Sequence, residues 1–418
     1  MINLGPNAVA AAPSVPVSSA KIFGVGGAGL ALLERIASMR LGTTELVAAS
    51  TDARALMNSS AARKVQLGRE GTKGLGSGGD PAVGEGAAKE SAAEIRAECA
   101  GAQVVVVCAG LGGGTGSGAA PVVAHEAHRK GALVVGVVTM PLAGEGGKRR
   151  EQADRALARL SRSCTAILCF ENDRLNELGP EGATISDAFT AASQTLAAAA
   201  ASVVRMVSLP AILRLGVDEL VQVFQGSTAR CEFGCGFSSG SDRVRSAVEE
   251  ALRCPLLESG KLLGEAENVL VHMSADSSLK LTEVHSALRQ ISKHIEENAQ
   301  IMLGVATDPE VEDTFGIVIM ASKSSGAAAE SDEDDEDFPE TVGEMPEADA
   351  AAEGEVKPAK GKGKAKTGRR TTVSGEQTQE ELPLDQAMRG RFKDLDPTMV
   401  DGQDLDVPTF IRMRMRLK

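Results

Sequence analysis

The 418-residue sequence predicts an α/β protein: a largely parallel sheet, a long central helix, a smaller α/β domain and a charged, disordered tail. Three observations carry this. Runs such as VVVVCAG (104–110) are continuously apolar and β-branched, as a strand buried on both faces requires. Such runs alternate with segments of helical spacing, the pattern of βαβ units. After residue 322 the apolar runs stop and charge comes in blocks, which cannot bury enough surface to offset the entropy of ordering.

In chain order, residues 1–19, rich in Ala, Pro, Ser and Val, read as a flexible arm. KIFGVGG is a strand that breaks at glycines, LALLERIASMR has helical spacing, and ELVAAS is the next strand. VVVVCAG is followed by AAPVVAHEAHRKG, a helix whose Lys-Gly ending is a stop signal. ALVVGVVTMP and AILCFEN are further strands. The Ala-rich segment from Ser186 to about Arg205 reads as one long, buried helix, since Ala favours helix and permits close packing. Beyond it, helical DRVRSAVEEALR and LKLTEVHSALRQISKHIEEN alternate with strands NVLVHMS, IMLGVATD and FGIVIMAS, ending near Ser322.

Composition excludes several classes. Apolar residues make 43% and charged residues 24%, enough for a sizeable core. Aromatics make 2%, all Phe, so stacking platforms for single-stranded nucleic acid are scarce. The net charge of −13 leaves an acidic body, which argues against nucleic acid as a partner. In the tail, residues 327–355 hold 13 acids and no base, and residues 356–370 hold seven bases and no acid. Seven Cys, several inside apolar runs, suit reduced cytosolic thiols. No leader-like segment or membrane span is expected.

Two glycine-rich turns carry the chemistry. Gly24-Val25-Gly26-Gly27-Ala28-Gly29 fits G-x-G-x-x-G between strand and helix, where backbone N–H groups can approach a phosphate. Asp52, after the second strand, stands where a dinucleotide fold keeps its ribose-binding acid. The run Ala109 to Ser117-Gly118, with six glycines in ten residues, forms a second phosphate nest to which Thr115 and Ser117 could add hydroxyls. Two such turns exceed what a dinucleotide fold needs. Cys231 and Cys235 lack a second pair for zinc, and His125 and His128 lack a third ligand.

GVGGAG (24–29), TKGLGSGGDPAVG (72–84), AGLGGGTGSGAAPVVA (109–124), EGGKRR (145–150) and END (171–173), in this order, resemble the tubulin/FtsZ GTPase superfamily over roughly residues 20–322. The resemblance implies a Rossmann-like GTPase domain over 20–184, a central helix and following loop over 185–215, and an activation and assembly domain over 216–322. It implies a disordered linker over 323–400 and a partner-binding peptide over 401–418. The implied activity is hydrolysis of GTP to GDP, with Mg²⁺ held through the nucleotide, in a cytoplasmic filament at the division site that assembles head to tail.

By the same resemblance, Gly26, Gly27, Ala28 and Gly29, with Gly112, Gly113, Gly114, Thr115 and Gly116, hold the phosphates. Glu145 accepts from ribose, Arg149 reaches phosphate and sugar, Asn172 touches the base, and Phe189 stacks on it. Asp406, Val407, Pro408, Phe410, Ile411 and Arg412 dock on a membrane-tethering division adaptor. Four departures stand out. Ala31 replaces the family's Asn, and Ser193-Gln194 replaces an Asn-Asp whose acid pairs with guanine. Losing a charge-assisted pair costs about 1.5–3 kcal/mol. In the loop that completes the next subunit's site, Arg214, Gly216 and Glu219 replace Asn, Asp and Asp, leaving Glu219 and the adjacent Asp218 as the catalytic acids. Met140 and Gly144 differ lesser still, standing where the family often has a polar or aromatic residue.

Overall fold

The computed structural model describes residues 19–39, 41–177, 184–215, 220–221, 230–296, 298–308, 311–322, 399–400 and 403–404. It divides into two compact units, Met1–Glu333 and Asp334–Lys418. In the second, β12 (Met399–Val400) and β13 (Gln403–Asp404) pair antiparallel.

The first unit is one sheet flanked by helices. Its first half alternates strand and helix: β1 (Ala20–Val25), α1 (Gly26–Ala37), β2 (Glu45–Ser50), α2 (Ala53–Asn58) and β3 (Arg63–Gln66). There follow α3 (Pro81–Glu90), α4 (Ala92–Cys99), β4 (Val104–Gly110), α5 (Gly114–Arg129), β5 (Leu133–Met140), α6 (Gly147–Ser161) and β6 (Ala166–Glu171). The strand order is β3-β2-β1-β4-β5-β6, all parallel. The chain therefore reverses its direction of travel between β1 and β4, and ligands of open parallel sheets bind at the carboxyl ends of such a pair. Both glycine turns begin there.

The central helix α7 (Ile185–Ser208) opens on a reciprocal cap between Thr184 and Asp187. Small residues such as Ala197, Ala200 and Ala201 are buried on it, and their size lets the helix lie close to the sheet. The second half adds β7 (Ala211–Leu213), β8 (Arg230–Ser239), α8 (Arg243–Arg253), β9 (Asn268–Ala275), α9 (Leu281–Ile291), β10 (Gln300–Thr307) and β11 (Thr314–Ser322). These extend the sheet in the order β6-β8-β11-β9-β10-β7.

Three strands were not anticipated. β3 and β7 are short edge strands, and the three residues of β7 are all exposed, so neither has the apolar run that marks a buried strand. β8 hides behind Gly234 and Gly236, which depress strand propensity. Their reason is packing: a Cβ on Gly236 would fall 2.0 Å from the Ala247 carbonyl of α8, and one on Gly234 2.4 Å from that of Ala251. Replacing Gly236 with Ala is expected to destabilise the protein by about 3 kcal/mol, read as a lower urea midpoint. An unchanged midpoint would contradict this packing.

Candidate functional site

The turn from β1 into α1 passes through Gly26 at φ +70°, and the turn from β4 into α5 through Gly112 at φ +92°. A side chain is strained at both. Neighbouring glycines serve close approach: a Cβ on Gly29 would meet the Cys108 carbonyl at 2.3 Å, and one on Gly116 the Gly110 carbonyl at 2.1 Å. Gly27 and Gly113 differ, because a Cβ there meets nothing within 4 Å. They line a cavity of about 320 Å³ together with Ala28, Gly114, Thr115 and Gly116. The two turns thus present the starts of α1 and α5, with their unpaired N–H groups and positive dipole ends, to one space.

Hydroxyls floor this space. Thr115 Oγ1 lies 2.7 Å from Thr51 Oγ1 and 3.1 Å from Ser77 Oγ. Two hydrogen bonds among three hydroxyls use two of their protons, so one O–H is not committed to the other two. Ser117 does not join them: it is buried, and its oxygen accepts from the Gly112 N–H at 2.8 Å, bracing the turn. Asp52 is not a ribose acid either. Its carboxylate accepts from the N–H of Arg54 at 2.8 Å and of Ala55 at 3.3 Å, capping α2.

On the far wall, Glu145 and Asn172 line the cavity with Thr139 and Pro141. One Glu145 oxygen accepts from the Leu142 N–H at 2.9 Å, and the other pairs with Arg149, which is more than half exposed. Phe189, 39% exposed, lies on the second turn of α7. Arg35 of α1 donates to Thr190 Oγ1 at 3.3 Å, joining the two helices beside it. Ala31, one turn before Arg35, is exposed and offers no polar atom.

Gln194 is not on this cavity's wall. It lines a separate cleft of about 590 Å³ with Glu177, Phe237 and Glu250. Five residues past Phe189 is about 140° around a helix, so the two side chains leave α7 on different faces. Asp218, Glu219 and Gly216 lie outside the described residues, as do Asp406, Val407, Pro408, Phe410, Ile411 and Arg412. Arg214 is described and exposed. Thr51, Ser77, Thr139 and Pro141 were missed. The run TKGLGSGGDP around Ser77 was a visible signal, but it does not show which helix it packs on.

The seven cysteines form no disulfide, and burial pushes the Cys108 thiol, at the end of β4, up to about 12. Among the described residues no three His, Cys, Asp or Glu side chains are grouped to hold a metal ion, and no helix is long and apolar enough to cross a membrane.

Residues 19–180 match the family model described as the Tubulin/FtsZ family, GTPase domain, and residues 230–324 match that of the FtsZ family, C-terminal domain. The cell division protein FtsZ 1 of Pyrococcus horikoshii is 35% identical over 302 residues, covering 72% of this chain and 80% of its own. The chain belongs to the tubulin/FtsZ family. A solved FtsZ dimer from M. jannaschii is similar at 32% identity and a TM-score of 0.65, over 73% of this chain and 88% of that one. CetZ2 from Haloferax volcanii, in a GTPγS-bound protofilament, shares the fold at 22% identity and a TM-score of 0.60, over 74% and 94% of the two chains. The cavity between the two glycine turns therefore lies in the FtsZ-family GTPase domain, and the layer from β8 to β11 is the FtsZ-family C-terminal domain.

Proposed function

We propose that this FtsZ-family chain binds GTP with its phosphates between the two glycine turns, stacks head to tail, and hydrolyses the nucleotide at each junction. The cradle suits a polyphosphate: the open sides of Gly27 and Gly113 admit phosphate oxygens to backbone N–H groups, where a Cβ would intrude. The chain's own group for a Mg²⁺ is the Thr115 hydroxyl, phosphate oxygens completing the set. When bound, the ion neutralises charge that develops on the leaving phosphate.

One observation carries completion by a second subunit. From Phe189 to Ser208, α7 is about 28 Å long. It delivers the chain to β7, which lies seven strands from β4, roughly 34 Å across the sheet. Five residues separate Leu213 from Asp218, a reach of at most about 17 Å. Asp218 and Glu219 therefore act on another copy's nucleotide, one of them positioning the attacking water. Exposed apolar residues support stacking: Leu75, 86% exposed, bridges to Asp52 near the cavity, and Ile212, 66% exposed, marks the opposite end on β7. Different patches meeting head to tail give an open filament.

The resulting polymer acts in the cytoplasm at the division site. The segment after residue 322 serves as the tether, and by coil scaling a chain of about 60–70 residues spans roughly 40–50 Å. Asp406 to Arg412 dock on a membrane-bound adaptor, with Phe410 and Ile411 as apolar anchors. Arg214 and Gly216 favour a second reading, a filament with slow turnover, because neither residue can hold a water as a carboxylate does.

The test is phosphate release per subunit across protein concentration. Completion in trans makes it rise steeply and then level off. A specific activity that stays constant down to the lowest concentration contradicts the proposal, and filaments without release select the second reading.

A further inference from the structure

The three hydroxyls that floor the cavity can be followed proton by proton. Thr51 is fully buried, and among the described residues its Oγ1 has Thr115 Oγ1, at 2.7 Å, as its hydrogen-bond partner. An O–H sealed from water goes to the acceptor it has, so Thr51 donates and Thr115 accepts. Thr115 Oγ1 also lies 3.1 Å from Ser77 Oγ. Taken alone, that second bond runs in either direction.

The role of Thr115 toward Mg²⁺ decides its direction. A hydroxyl oxygen has two lone pairs. The Thr51 O–H takes one on Thr115 and the cation takes the other, so none is left to accept from Ser77. Thr115 therefore gives its own proton to Ser77, and the Ser77 O–H is left over. Among the described residues Ser77 Oγ has no hydrogen-bond partner besides Thr115.

Both ends of this relay are braced. The Thr51 carbonyl accepts from the Gly76 N–H at 3.1 Å, which ties the residue before Ser77 to the end of β2. The Ser77 carbonyl accepts from the Asp80 N–H at 3.0 Å. Ser77 Oγ lies so close to the first residue of α5 that a Cβ on Gly114 would fall 2.3 Å from it. Ser77 is only 7% exposed, yet it lines the cavity with Gly113, Gly114 and Thr115. A bound ligand is the remaining acceptor for its spare proton. Glu145 and Asn172 line the far wall, where the GTP reading puts ribose and base, so the hydroxyl floor is the terminal-phosphate end.

We infer that Ser77 reads the terminal phosphate: its O–H donates to a terminal oxygen, and Thr51, which touches no ligand, positions it through Thr115. Ser77 is thus a specificity-determining residue that separates triphosphate from diphosphate. This rests on the reading of the cavity as a triphosphate site with Thr115 on the cation. A diphosphate leaves the Ser77 O–H without its acceptor, so the hydroxyl favours the triphosphate alone.

The experiment is calorimetric titration of the full chain with GDP and with the β,γ-imido analogue of GTP, each with Mg²⁺. Ser77→Ala is expected to weaken binding of the analogue about tenfold and of GDP less than about twofold. Thr51→Val keeps the side chain's shape and removes its O–H, which frees a lone pair on Thr115 for Ser77 to use. It is expected to weaken the analogue about threefold, with GDP again unchanged. Thermal melting checks that both variants are folded. Equal losses for the two nucleotides in Ser77→Ala, or none for either, overturn the inference and leave Ser77 as a tie between its loop and α5. An unchanged ratio in Thr51→Val overturns the relay. A native chain that binds neither nucleotide overturns the functional proposal itself.

Discussion

Gly113→Val is expected to weaken triphosphate binding about a hundredfold, about 2.7 kcal/mol, while the protein stays folded. Gly113 sits at φ −95° and ψ 173°, extended backbone that a β-branched residue adopts readily. Its Cβ would meet no protein atom within 4 Å, so the isopropyl group costs the fold little and instead fills the space through which a phosphate reaches the start of α5. Gly116→Ala is the contrasting control. There the new Cβ falls 2.1 Å from the Gly110 carbonyl, and the fold itself is expected to suffer. Calorimetry with thermal melting separates the two: unchanged affinity in Gly113→Val would show that the phosphates lie elsewhere.

The largest stability effect is expected in the second half of the sheet. Arg243, 4% exposed, donates to both oxygens of Glu283 at 2.8 and 3.1 Å, to Asp276 at 3.3 Å and to Asp313 at 3.4 Å. Arg243→Met removes the cation that Glu283, Asp276 and Asp313 share and leaves the three acids facing one another, which is expected to lower the urea midpoint at pH 7. The dependence on pH follows from the Arg243 hydrogen bonds, which hold the Glu283 carboxyl below its ordinary 4.5. A depressed value contributes stability above the unfolded pKa, and that contribution is lost as pH falls through the folded one. The gap between native protein and variant should therefore narrow below about pH 4.5. A gap that persists unchanged would contradict the ion pairs as its cause.

The two glycine turns were legible because a phosphate cradle needs Gly26 and Gly112 in left-handed backbone and Gly29 and Gly116 free of a Cβ, and few other structures demand so many glycines in so short a run. The parallel strands were legible because burial on both faces imposes apolar runs. Thr51 and Ser77 were not, since they reach Thr115 across 64 and 38 residues of chain, and only folding brings them together. Gln194 was placed by its neighbours in sequence, while helix phase turns it to the other face. β8 was hidden by the glycines that let α8 lie on it. Asp52 shows the converse: an Asp directly before a helix is first a cap, and its side chain is consumed there.

The central claim is that two turns at one reversal point of the sheet jointly hold a triphosphate. A crystal structure with a slowly hydrolysed GTP analogue and Mg²⁺ tests it most directly. The account expects phosphate oxygens within hydrogen-bonding distance of backbone N–H groups in both 26–29 and 112–116, with Thr115 facing the terminal phosphate. A nucleotide bound by only one of these turns, or seated instead in the cleft of Gln194 and Phe237, would contradict it.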